Sequence, residues 1–357
     1  MFPDSFKIAN KKVGLGQPTY FIADIAANHD GDIERAKDLI YQAADAGADA
    51  AKFQHFQAET IVSNKGFLNL GDQLSHQKNW KKSVYEVYKD ASVNLEWTKE
   101  LVETCKKADI PFFTTPYSLE VVDYIDKFVP AYKIGSGDIT WLEMIKKVAN
   151  KNKPYFIASG ASNFEEVILA VKTGIESNNK LCLMQCNTNY TASIENFQYI
   201  NLNVIKSYQS IFPGLIIGLS DHTPGATTVL GAVTLGAKMI EKHFTDDNER
   251  EGPDHKFSMN PKSWKEMVLR TRELELSLGN GIKKIEDNEK ETAILQRRSL
   301  MTTKKINKGE IILDEYIKTV RPCPNDALTP FVKNKLIGRK ANRDIDSDSH
   351  FLMKDLF

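Results

Sequence analysis

The sequence carries no net charge, few cysteines and no long apolar run. Its 47 basic and 47 acidic residues cancel, so no long-range field draws the chain to nucleic acid or to an anionic membrane surface, and neither is expected as a partner. A local cluster of lysines would still hold a small anion. No stretch nears the roughly 18 apolar residues that a membrane span requires. The opening residues, MFPDSFKIANKK, lack an apolar signal core and carry an acid as early as Asp4, so the expected compartment is the cytoplasm. The cysteines Cys105, Cys182, Cys186 and Cys323 form no CxxC pair and read as reduced packing residues. Cys186 lies near the end of an apolar run, where a thiol would be accessible, but no histidine is obviously set to activate it.

What the chain does have is a repeated event. Eight times between Tyr20 and Phe244 a short apolar run closes on polar residues and gives way to a helical stretch. The runs are FIAD, DAAKFQ, PFFTT, AYKIGS, YFIAS, LCLMQCN, LIIGLSDH and MIEKH. Strands alternating with helices at this spacing form parallel βαβ units. Eight units predict a (β/α)8 TIM barrel with its active site at the C-terminal ends of the strands. An open doubly wound sheet shares the alternation, because a sequence does not display closure.

Helices are expected over 33–46, 97–107, 119–127, 141–150, 164–177, 203–211, 225–235 and 262–278, with Asp32, Thr140 and Ser162 or Asn163 as candidate N-caps. A polar insertion over 58–94 follows the second strand, and its length suggests a loop that covers or lines the site. Past residue 278 the pattern changes to a charged, glycine-punctuated stretch and then to short runs broken by turns such as Lys308-Gly309. The expected division is a barrel over 1–285, a linker over 286–294 and a small β-rich domain over 295–357 that is too short to stand comfortably alone.

Lys52 and Lys133 lie inside apolar strand runs, where an unpaired ammonium is costly. Together with the hydroxyls of Ser136, Ser159 and Ser220 they point to a multiply charged ligand bearing phosphate or carboxylate. Schiff-base catalysis by a strand lysine is the rival. His222 and His243 end neighbouring strands of a barrel, and two neutral imidazoles beside open positions suit a weakly held, partly hydrated divalent metal such as Mn2+ or Mg2+. Asp24, Asp138, Asp221 and Asp254 complete the polar set, although Asp254, in the loop EGPDHKFSMNP, could equally be solvated.

In order and spacing, NHDGDIERAKDLI, AGADAAKFQ, PAYKIGSGD, GLSDHT, EKHFT, GPDHKFSMNP and the tail KKINKGE…VRP resemble the motifs of the sialic acid synthase (N-acetylneuraminate synthase) family. The likeness spans almost the whole chain, and it makes the tail similar to an antifreeze-like (SAF) domain. It implies condensation of phosphoenolpyruvate with an open-chain N-acetylated hexosamine to a nine-carbon 2-keto acid plus phosphate. By the same resemblance Lys52, Thr115, Lys133, Ser136, Ser159 and Ser220 hold phosphoenolpyruvate, and His222 and His243 bind the metal. Asn79, Tyr190, Asp254 and Arg321 position the sugar, with Gln54 and Thr188 also at the substrate. Arg321 is implied to come from the partner of a domain-swapped homodimer. Asp138 is the candidate to orient or deprotonate a water at C2 of phosphoenolpyruvate.

The chain departs from the family where Asp24 and Asp138 stand in place of the common glutamates and Thr188 in place of an asparagine. Acids shorter by one methylene leave room for a bulkier sugar than N-acetylmannosamine, such as a diacetamido-trideoxyhexose. Two other readings stand beside this one. A 3-deoxy-keto acid phosphate synthase acting on a phosphorylated aldose would need a second basic cluster, for which Lys242, Arg250, His255 and Lys256 are available. A non-catalytic glycan-binding protein would leave the strand-end lysines and histidines without a role.

Overall fold

The computed structural model describes residues 2–71, 77–78 and 80–355. The chain divides into two compact units, Met1–Gly279 and Asn280–Phe357. The first opens with an antiparallel hairpin, β1 (Ser5–Ile8) and β2 (Lys11–Gly14). Eight barrel strands follow: β3 (Tyr20–Asp24), β4 (Ala50–His55), β5 (Phe112–Pro116), β6 (Tyr132–Ile134), β7 (Tyr155–Ala158), β8 (Leu181–Cys186), β9 (Ile216–Asp221) and β10 (Met239–His243). All their pairings are parallel. The ladder runs β5-β4-β3-β10-β9-β8-β7-β6, and β5 packs beside β6, so the sheet is a nearly closed barrel.

Alternation along each strand explains both sides of this wall. Outward residues such as Phe21, Phe53, Tyr132, Leu183, Leu219 and Ile240 join the helices in one large core. Inward residues build a second core of Tyr20, Ile22, Ala50, Phe113, Phe156, Met184, Ile216 and Met239, to which the hairpin adds Phe6, Ile8 and Val13. The lower barrel is therefore solid. At the next inward positions the chain switches to Asp24, Lys52, Thr115, Lys133, Ser220 and Glu241, all buried.

The helices between strands match the periodicity to within two residues at most ends, for example Ile33–Asp45 and Phe164–Ile175. Asp32 caps the first through the N–H groups of Glu34 and Arg35, and Asn163 closes a capping box with Glu166. Thr140 does not cap its helix. The chain leaves a 3-10 turn at Ser136–Asp138 and enters Leu142–Ala149 through Trp141 without a side-chain cap. The expected insertion holds short helices at Ala58–Ile61, Asn64–Asn69 and Val84–Ala91. Ser83 and Glu86 cap the last of these reciprocally.

The second unit begins at Asn280, ahead of the linker expected over 286–294, and within that expected linker Lys290–Gln296 is helical. Beyond it, β11 (Ser299–Thr302) pairs antiparallel with β12 (Ile317–Val320), and isolated bridges tie Met301 to His350 and Ile306 to Ile345. Leu300, Ile306, Ile312, Leu328, Leu336 and Phe351 form its small core. Gly309 takes a φ of 86° at the turn read from Lys308-Gly309. Among the described residues no helix is long and apolar enough to cross a membrane.

Candidate active site

Two lysines on separate strands converge on one carboxylate oxygen at the centre of the barrel mouth. Lys133 Nζ on β6 donates to Glu241 Oε1 on β10 at 2.6 Å, and Lys52 Nζ on β4 lies 3.5 Å from the same atom. Lys52 also pairs with Asp24 Oδ2 at 2.6 Å and donates to Thr115 Oγ1 at 3.3 Å, while Ser220 Oγ donates to Glu241 Oε1 at 3.1 Å. Burial disfavours charge on Lys52, but Asp24 and Glu241 more than offset it and hold its pKa above the ordinary lysine value. Burial likewise opposes the Glu241 carboxylate, and Lys133 and Lys52 overcome it, pulling its pKa down to about 2. The result is a buried cluster of two cations and two anions.

Asp24 is thus engaged as the counter-ion of Lys52. It further accepts from Gln54 Nε2 at 3.0 Å and from the Ala26 N–H at 3.1 Å. Ala26 adopts a φ of 46° to turn the chain there, and the Ala27 N–H then reaches Asp254 Oδ2 at 3.3 Å. Asp254 belongs to the site. Its loop is clamped to the one after β3 by Asp30, which receives His255 Nε2 and Arg250 Nε at 2.9 Å each.

His222 and His243 do converge, with ring centroids 5.3 Å apart. His222 Nδ1 sits 2.9 Å from the Asn187 carbonyl oxygen; a carbonyl only accepts, so Nδ1 carries a proton and Nε2 is the ring nitrogen left for other partners. His243 lies between two acids, Nε2 at 3.7 Å from Asp24 and Nδ1 at 3.5 Å from Asp254. Among the described residues His243 Nδ1 has no hydrogen-bond partner. No cluster of three or more His, Cys, Asp or Glu residues suited to a metal forms among them either. The two imidazoles are the donors here that could hold a divalent cation, its remaining positions left to oxygen atoms. Tyr190 and Phe257 wall the pair, 4.4 Å and 5.9 Å from the His222 ring.

Asp138 is the carboxylate without a counter-ion. Burial pushes its pKa up to about 6, and its buried Oδ2 has no partner among the described residues. Beside it Ser136 accepts from Thr188 Oγ1 at 2.8 Å. Gly160 lies so close that a Cβ there would fall 1.9 Å from Thr188 Oγ1. Ser159 faces the other way, donating to the Met184 carbonyl at 3.1 Å and accepting from Tyr208 Oη at 2.8 Å. Asn79 lies outside the described residues, and Arg321 is exposed in the second unit, directly after β12. The fold does supply Cys186 with the histidine that the sequence did not reveal: burial raises the thiol, and His222, with Lys133 and Thr188, more than reverses it, leaving the pKa below the ordinary value.

Residues 39–283 match the NeuB family and residues 297–356 match the SAF domain. The chain belongs to the NeuB family. It is 36% identical to the N,N'-diacetyllegionaminic acid synthase of Campylobacter jejuni, over 92% of this chain and 98% of that one. It is 33% identical to a pseudaminic acid synthase of the same species, over 92% and 93%. The crystal structure of the N-acetylneuraminic acid synthetase from Leptospira borgpetersenii superposes with a TM-score of 0.72 at 28% identity, covering 82% of this chain and 95% of the other. Its relatives in the NeuB family thus include proteins named as synthases of legionaminic, pseudaminic and N-acetylneuraminic acids.

Glu241 is the site residue that the sequence reading missed. The run MIEKH drew attention to Lys242 and His243, yet alternation puts Glu241 and His243 on one face and Lys242 on the other. Lys242 is in fact turned outward and paired with Asp221. Neither belongs to the barrel interior, although the sequence had grouped Asp221 with the other acids.

Proposed function

We propose that the protein condenses phosphoenolpyruvate with an open-chain diacetamido-trideoxyhexose, forming a nine-carbon 2-keto acid and releasing phosphate. The observation that carries this reading is the approach of Lys52 and Lys133 to the same oxygen of Glu241, with Asp24 between Lys52 and His243 and the His222 ring beside that of His243. A site that holds two buried ammonium groups ready, with Thr115, Ser136 and Ser220 around them, suits a small ligand carrying both a phosphate and a carboxylate. The relatives named for legionaminic and pseudaminic acids support the choice of sugar, as do the apolar faces of Tyr190 and Phe257, against which methyl groups can rest.

A divalent cation held by His222 and His243 would act as a Lewis acid toward the aldehyde oxygen. The lysines and hydroxyls orient phosphoenolpyruvate so that C3 attacks the aldehyde carbon, forming the new carbon–carbon bond from the C2–C3 π electrons. Positive character then develops at C2. Asp138, ionised above a pH of about 6, takes a proton from the water that adds there. Collapse of the tetrahedral carbon breaks the C2–O bond, and phosphate leaves with the bridging oxygen. Asp254, fixed by the Ala27 N–H, is available to a sugar hydroxyl.

A phosphorylated aldose is disfavoured by the state of the second basic cluster it would need. Lys242 is buried against Asp221, and Arg250 and His255 are both bound to Asp30, so Lys256 alone is exposed and uncommitted to those acids. The test is phosphate release from phosphoenolpyruvate with a panel of acceptors. A 2,4-diacetamido-2,4,6-trideoxyhexose should exceed N-acetylmannosamine in kcat/KM by about tenfold, the ~1.4 kcal/mol that a buried methyl and an acetamido contact can supply. Preference for arabinose 5-phosphate would overturn the reading.

A further inference from the structure

Behind the two imidazoles lies an ion pair that takes no part in the chemistry above. Lys242 and Asp221 are register partners on β10 and β9, and both side chains are about 1% exposed on the helix side of the wall. The Lys242 ammonium binds Asp221 Oδ2 and also donates to the Thr223 carbonyl oxygen at 2.5 Å. Asp221 Oδ2 accepts further from Thr223 Oγ1 at 2.8 Å and Thr228 Oγ1 at 2.7 Å, and Oδ1 accepts from the Thr223 N–H at 3.2 Å. Both carboxylate oxygens of Asp221 are engaged, and the Lys242 ammonium uses two of its three N–H donors.

A pair buried this deeply adds little to stability, since apolar residues of similar volume commonly serve as well once the cost of desolvation is counted. Its geometry is more specific. Lys242 grips the residue before His222 and the residue after it, and Lys242 is itself the residue before His243. One ammonium therefore ties both imidazole-bearing segments to each other. We infer that Asp221 and Lys242, braced by Thr223 and Thr228, are positioning residues that set the spacing of His222 and His243 for a divalent cation. This rests on the reading of those histidines as the metal's ligands.

The experiment measures Mn2+ binding to the full-length protein, without substrate, from the electron paramagnetic resonance signal of the free ion. The double variant D221N/K242M removes both charges together and leaves neither unpaired. It should bind Mn2+ about tenfold or more weakly, in the range found when groups behind a metal ligand are changed. Its affinity for phosphoenolpyruvate should stay within about twofold, because Lys52, Lys133 and Ser220 lie on the opposite side of the strands. Thr228→Val, which keeps the ion pair and removes one bond that orients it, should weaken Mn2+ binding in the same direction and decides the question alone if the double variant does not fold. A control carrying His222→Ala and His243→Ala separates the two layers of the argument. If that control binds Mn2+ as the wild type does, the ligand reading fails and this inference with it. If it loses Mn2+ while D221N/K242M and Thr228→Val bind normally, the ligands stand and the positioning role is overturned.

Discussion

At the scale of single residues, the site separates its carboxylates by environment. Glu241 and Asp24 face ammonium groups as their counter-ions, whereas Asp138 has none nearby to offset its burial. This predicts opposite effects on activity and stability. The Asp138 carboxyl rises from an ordinary 3.8 to about 6 on folding, so the folded protein binds the extra proton between those values and loses stability as pH climbs through them. Asp138→Asn should therefore be more stable than the wild type at pH 8, by on the order of 2 kcal/mol, and equal to it below about pH 4. The same variant should lose at least ~100-fold in kcat and abolish the acidic limb of the rate profile near pH 6. Denaturant titrations at the two pH values and a pH–rate profile check both halves. Legibility at this scale followed strand parity. Lys52, Lys133, His222 and His243 were readable because a cation or imidazole in an apolar run stands out. Glu241 was hidden because two more conspicuous residues follow it, and Ser159, expected at phosphoenolpyruvate, turns away because a serine just past a strand can go to either side.

At the scale of elements, the eight strand–helix units were legible because each strand buries both faces and each helix only one, giving two distinct periods. The N-terminal hairpin was not legible. FKIANKKVG shows no long apolar run, and its role appears only when Phe6, Ile8 and Val13 are seen to plug the floor of the barrel. Phe6 stacks on Phe156 with ring centroids 6.4 Å apart. Phe6→Ala should accordingly cost about 3 kcal/mol of stability, as for other buried aromatic truncations, while leaving the KM for phosphoenolpyruvate unchanged. A lowered unfolding midpoint with normal KM is the expected result. A raised KM at normal stability would mean that the hairpin shapes the upper layer as well. The helical turns of the insertion were also missed as helices, since pieces of four to eight residues carry too few repeats to show a period.

At the scale of the whole molecule, the pattern changes after residue 278 and the first unit ends at Gly279, whereas the expected division carried the barrel on to residue 285. Composition alone could not show that Lys290–Gln296 would be helical, because its charges suit a linker and an exposed helix equally. The family resemblance implies a homodimer in which Arg321 serves the partner's site. Mixing the two inactive variants Arg321→Ala and Lys133→Ala under subunit exchange should then restore up to about a quarter of wild-type activity, the share of sites expected intact from random pairing of equal parts. No recovery would count against a shared site. The central claim, attack by water at carbon rather than phosphorus, is tested most directly by running the condensation in 18O-enriched water and weighing both products. The account predicts a nine-carbon keto acid together with inorganic phosphate that carries no solvent oxygen. Phosphate bearing one 18O per molecule would contradict it.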